Sequence, residues 1–135
     1  TLGDAMKRMS PELGKADVVV PRSRVPELMA DVKCVAARLG LPIACFGHAG
    51  DGNVHVNVLR RDLSPERWAE LLPQALEGVM DAVHRLGGRP SGEHCIGALK
   101  RAEAARFLGP RVLALSRAVK SAFDPLGILN PGKVL

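Results

Sequence analysis

"PIACFGHAGDGNVHVNVL", residues 42–59, decides the fold. "PIACF" at 42–46 is a continuous apolar run and reads as a strand. "NVHVNVL" at 53–59 alternates, placing Val54, Val56 and Val58 on one face and His55 with Asn57 on the other. Between them, "GHAGDG" has turn residues and no bulky apolar side chain, so the two strands form a hairpin. Gly50, Asp51 and Gly52 make its turn. A strand pair of this kind, alternating on one side, needs helices on its apolar face only.

The flanking segments supply them. "ADVVV" at 16–20 reads as a strand closed by Pro21. Ser23 is positioned to cap a helix over 24–39, with Pro26 tolerated in its first turn. Val25, Leu28, Met29, Val32, Val35 and Leu39 recur at helical spacing, and Gly40 is a natural stop. Ser64-Pro65 opens the next helix as cap and first residue. Pro73 is expected to kink or split it, and Leu72, Leu76, Val79, Met80, Val83 and Leu86 form its buried stripe up to Gly87-Gly88. "RPSGEHCIG" at 89–97 reads as a loop, or as a short strand with a turn. Residues 98–107 and 111–123 read as two further helices, and "DPLGILNPGKVL" as an extended tail with two turns. The order β-α-β-β-α-(β)-α-α predicts an α+β fold: a ferredoxin-like antiparallel sheet backed by helices, with C-terminal helices and an extended tail.

The chain has 135 residues, 47% of them hydrophobic, enough for one compact domain with its own core. With 3% aromatics, that core must be built from aliphatic side chains. The net charge of +5 favours an anionic substrate or partner. The basic residues lie in short scattered clusters such as Arg60-Arg61 and Lys100-Arg101, and no basic helix interleaves with aromatics, which argues against nucleic acid. Three cysteines with no close pair fit neither a disulfide framework nor a zinc knuckle. Cys34 and Cys45 lie in apolar settings and read as buried thiols, and the cytoplasm is the expected compartment. No transmembrane run or signal peptide is visible. The chain begins at Thr1 rather than Met, so a longer precursor is expected.

His48 and His55 flank the hairpin turn. Each by itself fits an incidental polar residue at the turn's mouth. Two imidazoles held by one hairpin also suit a divalent ion such as zinc, with Glu93 as a third protein ligand. His94, next to Glu93, is suited to accept a proton near neutral pH, and a metal nearby would acidify a substrate hydroxyl. Other polar residues have simpler readings. His84 interacts with a helix C-terminus, Asp51 makes a turn, and Lys15 and Lys100 are solvated unless an anion binds. Cys95 has no histidine assigned to it as a base. Gly50 and Gly52 lack the following helix and Lys-Ser/Thr of a phosphate loop.

Three segments together, "GHAGDGNVHVN", "SGEHCIGALK" and "DPLGILNPGKVL", resemble the C-terminal domain of FAD-linked oxidases of the vanillyl-alcohol-oxidase type. Within that group the likeness is to the D-lactate dehydrogenase, glycolate oxidase D subunit and D-2-hydroxyglutarate dehydrogenase enzymes, over roughly residues 15–135. The resemblance implies that His48, His55 and Glu93 ligate a divalent metal, usually zinc, and that His94 takes the hydroxyl proton while a hydride passes to FAD. It implies substrate-carboxylate contacts for Asn57 and, more weakly, Lys15, and it places Asn130 and Lys133 in a tail that returns to the flavin. The substrate would be a small 2-hydroxy acid.

Two departures stand out. Cys95 occupies a position that is usually Gly, where a positive φ or a close approach of the flavin is allowed. The resemblance implies a flavin-binding domain that carries most FAD contacts and precedes this region, and it is not expected within residues 1–135. Residues 1–135 therefore read as a C-terminal substrate and metal (cap) domain fragment, expected to be inactive alone and to pair as a homodimer through the surface its missing partner would cover. Two other classes stay open: a stand-alone metal- or carboxylate-binding module, and a zinc hydrolase using His48, His55 and Glu93 with His94 activating water.

Overall fold

The computed structural model describes residues 2–134. They form two compact units, one running to Glu93 and one starting at His94. The first contains helix α1 (Leu2–Met9), strand β1 (Leu13–Val19), a 3-10 turn (Arg22–Arg24), helix α2 (Val25–Leu39), strands β2 (Ile43–His48) and β3 (Asn53–Leu59), and helix α3 (Pro65–Arg85). The strands form an antiparallel sheet in the order β1-β3-β2. On the free edge of β1, Val19 and Arg89 exchange both backbone hydrogen bonds, at 3.1 and 2.8 Å. This single bridge stands where a ferredoxin-like sheet carries its fourth strand. The α+β expectation holds, and the optional strand at 89–97 is reduced to one pairing.

The alternation read in β3 sorts the sheet into two faces. Val54, Val56 and Val58 are buried, as are their neighbours Ala16 and Val18 on β1. Helices α2 and α3 pack on this side, burying Leu28, Val32 and Val35 from α2 and Ala75, Val79 and Val83 from α3. Each buried Val or Leu stabilises by about 1.5–3 kcal/mol relative to an exposed one. Trp68 closes the end of the core beside Leu71 and Val58, and its indole Nε1 donates to Glu12 at 2.9 Å. The other Glu12 oxygen accepts from Arg60 at 2.6 Å. These two donors, Arg60 first, hold the Glu12 carboxyl below its ordinary range.

Several local expectations are corrected. Strand β1 starts at Leu13, ahead of the predicted Ala16. Ser23 does not cap α2. It lies inside the 3-10 turn, and Arg24 occupies the cap position without a side-chain bond. Pro73 does not split α3, which is a single helix from Pro65 to Arg85. Pro73 is exposed, so the carbonyl deprived of its N–H partner can turn to water. Cys34 is exposed, because it lies about a third of a turn from the α2 stripe of Leu28, Val32 and Val35. Cys45 is half-buried, and desolvation pushes its thiol up to about 11. Ser64 caps α3 as expected, accepting from the Arg67 N–H at 3.3 Å.

The second unit is built on helix α4 (Arg101–Phe123), broken at Gly109, whose φ of 69° and ψ of 164° are not helical. Pro110 follows, so the two-helix reading survives as one rod with a break, starting at Arg101 rather than residue 98. Asp124 organises the tail. Its carboxylate accepts from the Ile128 and Leu129 N–H groups, both at 3.0 Å, and pairs with Lys120. The lysine above all holds this carboxyl below its usual range.

Candidate metal centre

The sheet face opposite α2 and α3 carries the polar residues. Register puts Asp17 opposite His55 and Lys15 opposite Asn57 across β1 and β3. Across β3 and β2 it puts Phe46 opposite His55 and His48 opposite Asn53. Directly paired residues share a face, so Lys15, Asp17, His48, Asn53, His55 and Asn57 all lie on this one. His55 occupies the middle of the central strand. Its ring packs against Phe46, with centroids 5.1 Å apart, and meets His48 edge to face at 5.9 Å.

The turn that brings the histidines together depends on glycine. Gly52 has a φ of +76°, and a Cβ there would lie 2.0 Å from the Val20 carbonyl oxygen. Asp51 donates its N–H to the His48 carbonyl at 2.9 Å, closing the turn as expected for a turn residue.

Glu93 arrives from the segment after the Val19–Arg89 bridge. Its Oε1 lies 3.0 Å from His55 Nε2. One donor atom from each of His48, His55 and Glu93 lies within 4.8 Å of the other two. Ligands around a tetrahedral zinc sit about 2.0–2.2 Å from the ion, so these side chains need only small rotations to converge. His48 and Glu93 are exposed and His55 is largely covered. The donor set, two imidazoles and one carboxylate with a solvent-facing side, has the chemistry of a divalent-metal site with an open position.

Asp17 is the residue the sequence reading missed. Its buried carboxylate accepts from Ser91 Oγ at 3.2 Å, Gly92 N at 3.1 Å and Glu93 N at 3.0 Å, all on Oδ2. Its Oδ1 lies 3.6 Å from His55 Nδ1. The available signal was an acid inside an otherwise apolar strand, between Ala16 and Val18.

The remaining predicted residues fall as follows. Asn57 is buried, its amide 3.5 Å from the carbonyls of Ala44 and His55. Lys15 is exposed beside it. The buried Oδ1 of Asn53 has no hydrogen-bond partner among the described residues. His94 follows Glu93 in the chain and opens the second unit, where it is exposed. Cys95 adopts a φ of +59°, the left-handed conformation that a Gly would take freely. Asn130 and Lys133 share the tail turn, the Lys133 N–H donating to the Asn130 carbonyl at 3.2 Å. Together with Lys120, Phe123, Leu129 and Val134 they line an open groove of about 440 Å³. Among the described residues no helix is long and apolar enough to cross a membrane.

Comparison with known proteins agrees with the three-segment resemblance. Residues 1–134 match the family model described as FAD linked oxidases, C-terminal domain. The chain is 36% identical over 122 residues to a D-lactate dehydrogenase of Anaerostipes hadrus, covering 90% of this chain and 26% of that protein. It is 35% identical over 130 residues to the glycolate oxidase subunit GlcD of Bacillus subtilis, covering 96% and 27%. A D-2-hydroxyglutarate dehydrogenase of Stutzerimonas stutzeri is 32% identical over 123 residues, covering 89% and 26%. The chain thus spans about a quarter of the length of these curated relatives. With the family model matched along nearly its whole length, this α+β chain belongs to the C-terminal domain family of FAD-linked oxidases.

Proposed function

We propose that this chain is the substrate- and metal-binding part of an FAD-dependent dehydrogenase that oxidises a small 2-hydroxy acid to the 2-oxo acid. The observation that carries the reading is the convergence of His48, His55 and Glu93 on the sheet face that also bears Asn57 and Lys15. The relatives' names supply the substrate class: lactate, glycolate and 2-hydroxyglutarate are all 2-hydroxy acids.

In this reading His48, His55 and Glu93 hold a divalent ion, zinc by the donor set. Such an ion, when bound, supplies Lewis acidity that lowers the pKa of a coordinated hydroxyl. FAD, when bound, supplies a two-electron acceptor for the hydride leaving C2 of the substrate. His94 accepts the hydroxyl proton at a ring nitrogen. The Lys15 ammonium and the Asn57 amide hold the substrate carboxylate, fixing C2 for transfer. Asn130 and Lys133 belong to the flavin side. Loss of one hydride and one proton converts the hydroxyl to the carbonyl, which balances the reaction.

Because the chain spans about a quarter of the length of its curated relatives, and the resemblance puts most FAD contacts outside it, the 135-residue chain alone is expected to turn over no 2-hydroxy acid. The test is metal content by plasma mass spectrometry on the purified chain after dialysis at neutral pH, beside His55→Ala. About one zinc per chain, lost in the variant, supports the reading. Absence of metal from the wild-type chain, or equal metal in both, overturns the metal assignment. Turnover of D-lactate, glycolate or D-2-hydroxyglutarate by the chain alone overturns the claim that it is only a part.

A further inference from the structure

The structure assigns Asp17 as a positioning residue: it sets which nitrogen of His55 is free to act as a ligand and anchors the loop that delivers Glu93. The inference rests on the metal-centre reading for its consequence, but its structural content is independent of any ion.

A buried carboxylate in the middle of a strand is costly unless donors surround it. Asp17 lies between Ala16 and Val18, both buried, and is itself 5% exposed. Its two oxygens divide the work. Oδ2 receives three donors from consecutive residues, Ser91 Oγ and the N–H groups of Gly92 and Glu93. Loop 91–93 has no strand pairing of its own, so this carboxylate anchors its backbone. Oδ1 faces His55 Nδ1 at 3.6 Å, on the directly paired residue of the neighbouring strand.

That distance exceeds a hydrogen bond, yet a fixed negative charge beside one ring nitrogen favours the proton there. Without an ion, Nε2 lies 3.0 Å from Glu93 Oε1, the distance of a ring N–H donating to that carboxylate. An ion among the converging donors would take the Nε2 lone pair instead, and the remaining ring proton would then sit on Nδ1, beside Asp17. An outer carboxylate that fixes a histidine's tautomer and orientation raises its quality as a ligand. One side chain thus orients His55 through its ring and Glu93 through its backbone. Two of the three donors in this set depend on a residue outside it.

Asp17→Asn tests this with little change in shape. The amide oxygen of the variant still accepts from the loop, while its NH₂ faces His55 Nδ1. That donor drives the ring proton to Nε2 and blocks the ligating nitrogen. The expected result is zinc affinity weakened about 10- to 100-fold, measured by competition with a chromophoric chelator, with the circular dichroism spectrum of the wild type. Ser91→Ala, which removes one loop donor and leaves the charge, should weaken zinc by less than a factor of about 5. Equal zinc affinity in Asp17→Asn and wild type overturns the proposal.

A second readout needs neither metal nor a stable Asp17 variant. In Glu93→Ala, which removes the competing acceptor at Nε2, nitrogen NMR of the metal-free chain reports the neutral His55 tautomer. The Nδ1–H form supports the role of Asp17, and the Nε2–H form overturns it. If the wild-type chain binds no zinc, the metal reading fails while this measurement still decides the orientation of His55.

Discussion

His48 and His55 meet edge to face with ring centroids 5.9 Å apart, although the whole hairpin turn lies between them in the chain. The register explains it. His48 pairs with Asn53 at the end of β2, and His55 is two residues further along β3, so the two rings are diagonal neighbours on one face. Since His48 is exposed and outside the core, His48→Ala should leave the unfolding free energy within about 0.5 kcal/mol of wild type. The same substitution removes one of three ligands. Zinc affinity should fall by at least about 100-fold, a larger loss than outer residues produce. Chelator competition and urea unfolding on the same preparation separate the two effects; a large stability loss would mean the imidazole has a structural role instead.

Cys95 carries backbone strain that its substitution should relieve. A left-handed conformation costs a non-glycine residue about 1–2 kcal/mol, and Cys95 sits at φ +59°. Glycine loses about 0.5–1 kcal/mol more chain entropy on folding. The net expectation for Cys95→Gly is a gain of up to about 1 kcal/mol in equilibrium denaturation. A loss of stability would show that the side chain makes a contact worth more than the strain.

The thiols should separate cleanly by reactivity. Cys45 is half-buried with its pKa pushed up to about 11, so at pH 8 about one thiolate in a thousand is present. Cys34 and Cys95 are exposed. Iodoacetamide at pH 8, followed by peptide mass spectrometry, should label Cys34 and Cys95 well before Cys45 in the native chain. Denaturant should abolish the difference. Early native labelling of Cys45 would contradict its placement.

The Glu12 clamp predicts a specific acid sensitivity. Arg60, and then Trp68, holds the Glu12 carboxyl below its ordinary range. A group whose folded pKa is depressed contributes stability that is complete above its unfolded value, about 4.3. That contribution is lost as pH falls through the folded value. Glu12→Gln should therefore be less stable than wild type at pH 7, and the gap should shrink as pH drops below about 4. Urea unfolding at pH 7 and pH 3 checks this. A gap that stays constant with pH would assign the effect to shape rather than charge.

Local chemistry was legible wherever a residue's neighbours in sequence are also its neighbours in space. The alternation of Val54, Val56 and Val58 placed β3 and its two faces. Ser64-Pro65 announced the start of α3, and the gap left between the helices expected over 98–107 and 111–123 holds the Gly109 break in α4. The same logic failed where the environment was supplied from elsewhere. Ser23 had the chemistry of a cap but was taken into a 3-10 turn. Pro73 was tolerated because its side of α3 faces water. Cys34 stood among apolar neighbours in sequence, yet the α2 stripe turned it outward.

The amino-acid sequence by itself determined the α+β order, the hairpin, and the identity of His48, His55 and Glu93 as candidate ligands, because alternation, turn chemistry and donor type are local properties. Only the tertiary structure decided that Asp17 lies opposite His55 and accepts the backbone of the loop bearing Glu93. Strand register and loop anchoring depend on how distant segments pack against a shared core, and no residue carries that information in its own neighbourhood.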